Sequence, residues 1–172
     1  MARAAVAPGG RQALTPRVAA LLAASEAAGW MGDEVRRPIA RGDVVLADRY
    51  AWTAVAREVA RGLEPGWVAA LYRFAPCPDL VIFHRQEPAA ALARALATRP
   101  SPAGAEAVSA AYAAFLERLM AVYDRLLVDD DAGPWPVRSL VLDPRATATE
   151  RVDAIRGRIS PLLDAARSAG GG

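Results

Sequence analysis

Three short runs of mostly apolar residues punctuate the chain, at residues 44–47, 80–83 and 139–142. None of them alternates apolar with polar positions. Uninterrupted runs of this length are typical of parallel strands that are buried on both faces. The pattern therefore predicts three buried strands, with longer segments of helical periodicity between them.

The first helical segment precedes the run at 44–47. Thr15 can cap a helix that has Pro16 at its first position, where the missing N–H costs nothing. Pro38 predicts a kink or a restart in this helix, and Gly42 predicts its end.

The later helices are predicted from prolines, apolar stripes and a capping box. In the helix that Pro65 begins, we expect Trp67, Leu71 and Phe74 to share the buried face. The other predicted helices are residues 51–61, a helix from Pro88, a long helix marked by the stripe from Val108 to Leu126, and a last helix capped by Thr147 and Glu150.

Composition adds a preference for helix. Of the 172 residues, 53% are hydrophobic, and many of these are alanines, which favour helix but bury little apolar area each. Strands alternating with helices give an α/β fold, here helix-rich and with a parallel sheet of about three strands. We expect a flexible arm over residues 1–13, one domain over 14–168 and a disordered tail over 169–172.

The charge pattern argues against a nucleic-acid or membrane partner. The formal net charge is +2, and the basic residues are spread along the chain rather than grouped in a stripe with aromatics. No segment has the length and apolarity of a signal peptide or a membrane span. The single cysteine, Cys77, excludes an internal disulfide. We expect its small side chain to be buried. The absence of a disulfide also fits a reducing compartment, so we expect a cytoplasmic protein.

A charged pair, Asp48 and Arg49, directly follows the predicted strand at 44–47. Ligands of open α/β sheets bind outside the carboxyl ends of the strands. A carboxylate at this edge suits Mg²⁺, held directly or through water, and a planar guanidinium suits a phosphate. The alternative is an ordinary strand end with solvated charges, which the local pattern taken alone favours.

The order of the neighbouring segments adds a family resemblance. LTPRVAALLAASEAAGW and VRRPIARG precede the pair, and CPDLVIF, EPAAALARALATR, AVYDRLL and SLVLDPRATATERVDAI follow it. In this order the chain resembles the thymidylate kinase (dTMP kinase) family of P-loop nucleoside monophosphate kinases. The resemblance implies an incomplete P-loop NTPase-like fold, ATP and Mg²⁺ as cofactors, and a dTMP-like nucleoside monophosphate as the phosphoryl acceptor.

The resemblance also implies roles on the acceptor side. Asp48, near Mg²⁺, and Arg49, on the acceptor phosphate, become the expected catalytic pair. Thr53 falls where the family has a Ser or Thr near the nucleobase, and Arg57 falls where a Tyr is expected. Trp52 would line the base pocket, and a core tryptophan is an equally good interpretation.

On the donor side, the resemblance implies a lid and an adenine loop. Arg94 and Arg99 stand where lid arginines approach the transferred phosphoryl group, and solvated arginines at a helix end are the alternative. Asp143, Pro144 and Arg145 match the loop that lies near the adenine of ATP.

The chain also departs from the family pattern. The family opens with a strand and a GxxxxGK[ST] loop that cradles the ATP phosphates, whereas this sequence has no such motif and no lysine. Ala28 stands where an Arg usually helps to read thymine, and Arg57 and Glu58 replace the usual Tyr and Gln. We therefore expect an incomplete chain with weak or no kinase activity of its own, and the sequence does not identify the acceptor base.

The missing P-loop strand has a structural consequence. In the family it lies between the strands that correspond to residues 44–47 and 80–83. Unpaired N–H and C=O groups on a buried strand edge are costly, at about 1–3 kcal/mol each. We therefore expect the two runs either to pair directly or to be bridged by another segment.

Two other functions stay open. One is a noncatalytic module that binds nucleotides or phosphate through Asp48, Arg49 and the helix behind them. The other is a helical interaction module that uses the apolar face from Tyr112 to Leu126. The sequence does not decide between a monomer and the homodimer that is common in the family.

Overall fold

The structure is a computed structural model, and it describes residues 14–98, 105–128, 136 and 138–169. The chain divides into two compact units, and the boundary falls between Pro76 and Cys77. The predicted arm lies outside the described residues, as does the predicted tail beyond Ala169.

The first unit begins with the predicted helix. Helix α1 (Pro16–Met31) is capped by the Thr15 hydroxyl, which accepts a hydrogen bond from the Val18 N–H at 3.4 Å. The helix continues through a π-helical segment, Gly32–Arg36, into α2 (Arg37–Ala40). The predicted restart near Pro38 and end near Gly42 are confirmed, because Gly42 has a φ of +80°, which favours glycine.

Two further helices complete this unit, and one of them buries an unexpected face. They are α3 (Ala51–Ala60) and α4 (Pro65–Leu71). The buried residues in and after α4 are Val68, Ala69, Tyr72 and Ala75, not the predicted Trp67, Leu71 and Phe74. Val68, Tyr72 and Ala75 are spaced at i, i+4 and i+7, so the buried face is the one next to the predicted face.

The run at residues 44–47 is not a strand. Residues 43–47 have no regular secondary structure, and the side chains of Val44 and Leu46 are 74% and 90% exposed. A strand needs a neighbour that pairs its N–H and C=O groups, and no described segment does so here. The predicted strand is therefore wrong, and so is its direct pairing with residues 80–83.

The second unit contains the sheet. Strands β1 (Val81–His84) and β2 (Ser139–Leu142) pair in parallel, with Val81 opposite Ser139 and His84 opposite Leu142. The chain between them contains α5 (Pro88–Thr98) and α6 (Ala105–Leu127). The expected helix-rich α/β class with a short parallel sheet is confirmed.

The core of the second unit forms around this sheet. Phe83 and Leu142 are buried, and so are four residues of α6, namely Leu116, Val122, Leu126 and Leu127. Tyr112, at the other end of that helix, is 40% exposed. The apolar face of α6 is therefore core at its carboxyl end.

Helix α7 (Ala148–Ala169) begins at the predicted capping box. The Thr147 N–H donates to the Glu150 carboxylate at 2.7 Å, and the Glu150 N–H donates to the Thr147 hydroxyl at 3.3 Å. Each side chain thus satisfies a backbone donor of the other residue.

Cys77 is exposed, so the prediction of a buried side chain was wrong. It lies between two prolines in a segment without regular structure, where no helix or strand covers it. Within the described residues, no helix has the length and apolarity needed to cross a membrane.

Candidate functional site

An open cleft of about 210 Å³ lies within the first unit. One wall comes from α1, where Ala23, Ala27 and Trp30 recur at the spacing of a single helix face. Met31 extends this wall. Small alanines leave room beside the broad Trp30 ring for a flat apolar group, and the exposed Glu26 adds one carboxylate to the same face.

Arg49 gives the cleft a cation. Its φ of +62° is in the left-handed region, which costs a residue with a side chain about 1–2 kcal/mol. The residue is exposed and lines the cleft, and no described residue hydrogen-bonds or ion-pairs with its guanidinium. Strained backbone of this kind clusters at functional sites, where it fixes the direction of a side chain.

Helix α3 adds two polar residues to the same cleft. Thr53 and Arg57 are four positions apart, so both lie on the helix face that lines it. The helix begins beside Arg49, and the capping residue Tyr50 gives its first N–H groups no side-chain acceptor. Free N–H groups at a helix start, next to an arginine, favour the binding of an anion.

A buried carboxylate holds Arg57 in position. Glu58 is only 1% exposed, and its Oε1 accepts hydrogen bonds from Arg57 Nε at 3.1 Å and Arg61 Nη1 at 2.8 Å. The bond to Arg57 uses only one of the five donors of a guanidinium. The terminal nitrogens of Arg57 therefore remain available to a ligand.

Tyr72 also lines the cleft. It is 2% exposed, and within the described part of the chain its hydroxyl has no hydrogen-bond partner. Burial raises the pKa of this phenol; the nearby charge of Arg57 lowers it and that of Glu58 raises it. The hydroxyl therefore stays protonated at neutral pH.

The cleft brings together three of the residues predicted from the sequence, namely Arg49, Thr53 and Arg57. Asp48 is exposed and does not line it. Trp52 is 3% exposed and stacks on Tyr50 with ring centroids 6.4 Å apart, which is the environment of a core residue.

Asp48 is the predicted Mg²⁺ ligand. Among the described residues, no three His, Cys, Asp or Glu side chains converge on a metal-binding position. Magnesium usually keeps several water ligands and takes only one or two carboxylates from the protein. One exposed carboxylate fits that donor set when water completes the coordination.

The predicted donor-side residues belong to the second unit. Arg94 Nη1 donates to Gln86 Oε1 at 3.1 Å, and Arg99 lies outside the described residues. In the predicted adenine loop, the Arg145 N–H donates to the Asp143 carboxylate at 2.8 Å. The Pro144 carbonyl accepts from Arg151 Nη2 at 2.8 Å, so the loop has a defined shape.

Sequence reasoning missed several cleft residues, which are Ala23, Glu26, Ala27, Trp30, Met31, Tyr50 and Tyr72. The spacing of Ala23, Ala27 and Trp30 was a usable signal, because it marks one helix face. Tyr72 has the same spacing with Val68 and Ala75, but the sequence interpretation chose the neighbouring set Trp67, Leu71 and Phe74.

Comparison with known proteins adds family information to this geometry. The thymidylate kinase family matches residues 1–132. A thymidylate kinase of Thermomicrobium roseum is 34% identical over 161 residues, covering 87% of this chain and 74% of the relative. One from Clavibacter michiganensis is 34% identical over 160 residues, covering 91% and 72%.

A more distant relative covers less. The probable thymidylate kinase 2 of Saccharolobus solfataricus is 29% identical over 126 residues, which is 65% of this chain. The matched segment spans only 59% of that relative's length. The family match over most of the chain nevertheless decides the assignment: the chain belongs to the thymidylate kinase family.

Proposed function

We propose that the cleft of the first unit binds a nucleoside monophosphate of the dTMP type. The observation that supports the proposal is Arg49, which lines the cleft with a φ of +62° and has no hydrogen-bond or ion-pair partner among the described residues. Arg49 binds the phosphate with its planar donors, assisted by the start of α3. The base packs against the apolar wall at Trp30 and Met31, and Thr53 and Arg57 supply polar contacts.

The proposed reaction of the complete protein is transfer of the ATP γ-phosphoryl group to this acceptor. The relatives are named thymidylate kinases, which supports dTMP as the acceptor. Positioning and charge stabilisation do most of the work in such transfers. Asp48 would hold Mg²⁺ through water, and the metal would neutralise charge on the phosphates. Arg94, Arg99 and the loop at residues 143–145 would act on the ATP side.

Isothermal titration calorimetry with dTMP tests the binding proposal. Arg49→Ala removes charge-assisted hydrogen bonds worth about 1.5–3 kcal/mol, so we expect roughly 10- to 100-fold weaker binding. Arg17→Ala is the matched control, because Arg17 is an exposed arginine of the same unit that does not line the cleft. Equal affinities for the wild type and Arg49→Ala would overturn the proposal.

A coupled assay of ADP release, with Mg-ATP and dTMP, tests activity separately. The sequence has no lysine and therefore no P-loop lysine to cradle the ATP phosphates. We expect this chain on its own to bind the acceptor and to show little or no phosphoryl transfer. A turnover of about 1 per second, the low end for kinases, would contradict that expectation.

A further inference from the structure

The first unit contains seven acidic residues, and four of them have protein partners. These are Asp33 with Arg37, Asp43 with Arg41, Glu58 with Arg57 and Arg61, and Glu64 with two N–H groups of α4. No described residue hydrogen-bonds or ion-pairs with the carboxylates of the other three, Glu26, Glu34 and Asp48. Of these three, Glu26 lines the cleft, so its unused carboxylate lies where a ligand can meet it.

The position of Glu26 puts its carboxylate beside the apolar wall of the cleft. Glu26 lies on the face of α1 that also contains Ala23 and Trp30. Side chains four positions apart on a helix, as Glu26 and Trp30 are, have Cβ atoms about 5–6 Å apart. Glu26 is exposed, so a ligand that packs against Trp30 can reach it. The cleft thus has an anion on its α1 wall, whereas its cations, Arg49 and Arg57, lie directly before α3 and within it.

The chemistry of a carboxylate restricts what Glu26 can bind. An ionised carboxylate accepts hydrogen bonds and donates none. It therefore repels a phosphate and attracts an N–H or O–H donor. In the proposed complex Arg49 binds the phosphate and the base packs against Trp30, so the part of the ligand next to Glu26 is the base. Thymine has one N–H on its edge, at N3, when it is attached to the sugar.

We propose that Glu26 accepts a hydrogen bond from the N–H of the base and is a specificity-determining residue of the acceptor site. The cleft then selects bases that present such a donor beside the wall at Trp30. This inference rests on the proposed function, since it requires that the cleft binds a nucleoside monophosphate.

Calorimetric titration of wild type and Glu26→Ala with two ligands tests the inference. The ligands are dTMP and N3-methyl-dTMP, in which a methyl group replaces the hydrogen at N3. The measured quantity is the preference for dTMP, the ratio of the two dissociation constants. Both ligands carry the same phosphate, so the loss of a negative charge from the cleft affects both equally and cancels in the ratio. We expect the preference to fall about 10-fold in Glu26→Ala, the low end for a hydrogen bond to a charged group, because the cleft is open to water.

The control variant is Glu34→Ala, which removes an exposed carboxylate of the same unit that does not line the cleft. It should leave the preference unchanged. Both variants should melt close to wild type, because each deleted side chain is exposed and has no described partner. A preference in Glu26→Ala equal to that of wild type would overturn the inference.

A third ligand separates the base from the sugar as the source of the donor. It is 3′-deoxythymidine monophosphate, which has the thymine N–H but lacks the sugar hydroxyl of dTMP. Glu26→Ala should weaken the binding of this ligand as much as it weakens the binding of dTMP. If the variant binds it as tightly as wild type does, the contact is to the sugar hydroxyl and the inference is overturned.

The two proposals fail in different ways. If wild-type protein does not bind dTMP, the proposed function fails and the inference fails with it. Arg49→Ala should weaken dTMP and N3-methyl-dTMP equally, because both carry the phosphate. If Arg49→Ala does so and Glu26→Ala keeps the full preference for dTMP, the proposed function stands and the inference alone is overturned.

Discussion

The two arginines of the cleft and two arginines of the second unit use their donors differently. In the first unit, Arg49 has no described partner, and Arg57 bonds to Glu58 only through Nε. In the second unit, Arg85 gives both Nε and Nη2 to the Asp124 carboxylate at 2.9 and 2.7 Å. Arg151 contacts the His84 ring at 2.7 Å through one terminal nitrogen and the Pro144 carbonyl through the other.

This difference matters because every basic residue of the chain other than its one histidine is an arginine. Residue type therefore cannot separate arginines that bind ligands from those that hold the fold together. The number of unused donors can separate them. A guanidinium whose donors already bond to protein groups must lose those hydrogen bonds before it can bind a phosphate. By this criterion, the cleft of the first unit is the better candidate for an anion.

Glu58→Ala should produce the largest change in stability. It removes a fully buried side chain that accepts hydrogen bonds from two arginines. Because those arginines are 41% and 45% exposed and can be hydrated, we expect a loss of about 2 kcal/mol in the free energy of unfolding, less than the roughly 3–5 kcal/mol seen when both partners are buried. Urea unfolding measures this loss.

Glu58→Gln is the control for that variant. It keeps the volume and one acceptor oxygen, so the loss of stability should be clearly smaller than in Glu58→Ala. Equal stability of the wild type and Glu58→Ala would show that Arg57 and Arg61 do not need this carboxylate as a partner. The comparison with Arg85, which also bonds a carboxylate, would then lose its basis.

Arg49→Gly should change stability and binding in opposite directions. Glycine adopts the observed φ of +62° without the penalty of a side chain. After the greater entropy of an unfolded glycine is subtracted, we expect a gain of roughly 0.5–1 kcal/mol in the free energy of unfolding. Thermal unfolding measures this gain, and titration should show the same loss of dTMP affinity as Arg49→Ala. A variant that is less stable than wild type would indicate that the guanidinium serves the fold.

Arg85→Ala tests the other side of the comparison. Its carboxylate partner is partly exposed and its own side chain is 43% exposed, so water screens the pair. We expect a small decrease in melting temperature and a dTMP affinity within about twofold of wild type, as for independent sites. A large loss of affinity would mean that an arginine with protein partners also contributes to ligand binding. That result would contradict the criterion of unused donors.

The sequence predicted local structure better than pairing. The runs VVLA at 44–47 and SLVL at 139–142 look alike, yet only the second forms a strand. The difference is that residues 139–142 have β1 as a neighbour, whereas residues 43–47 have no described strand to pair with. Pairing depends on residues distant in sequence, so an apolar run alone does not determine it.

The candidate site was predictable to a similar degree. Arg49 follows from its place directly after an apolar run, Thr53 and Arg57 follow from the family resemblance, and the cleft contains all three. Tyr72 was missed because it lies on the face of Val68 and Ala75, next to the face of Trp67, Leu71 and Phe74 that the large apolar side chains suggested. Two neighbouring faces of a short helix can both look apolar, so periodicity alone did not choose between them.

Glu150→Gln should give the smallest decrease in the free energy of unfolding, and the decrease should appear at neutral pH but not in acid. Hydrogen bonds from the N–H and hydroxyl of Thr147 hold the pKa of the Glu150 carboxyl below its ordinary value. A lowered pKa in the folded state stabilises the protein above the unfolded-state pKa of about 4.3, and this contribution is lost as pH falls through the folded-state value. Wild type should therefore be more stable than Glu150→Gln at pH 7, and urea unfolding at a series of pH values should show the two converging in acid. A difference that persists to low pH would assign the effect to side-chain shape rather than charge. The Thr147–Glu150 pair would then be a geometric cap to which the carboxylate charge adds no stability.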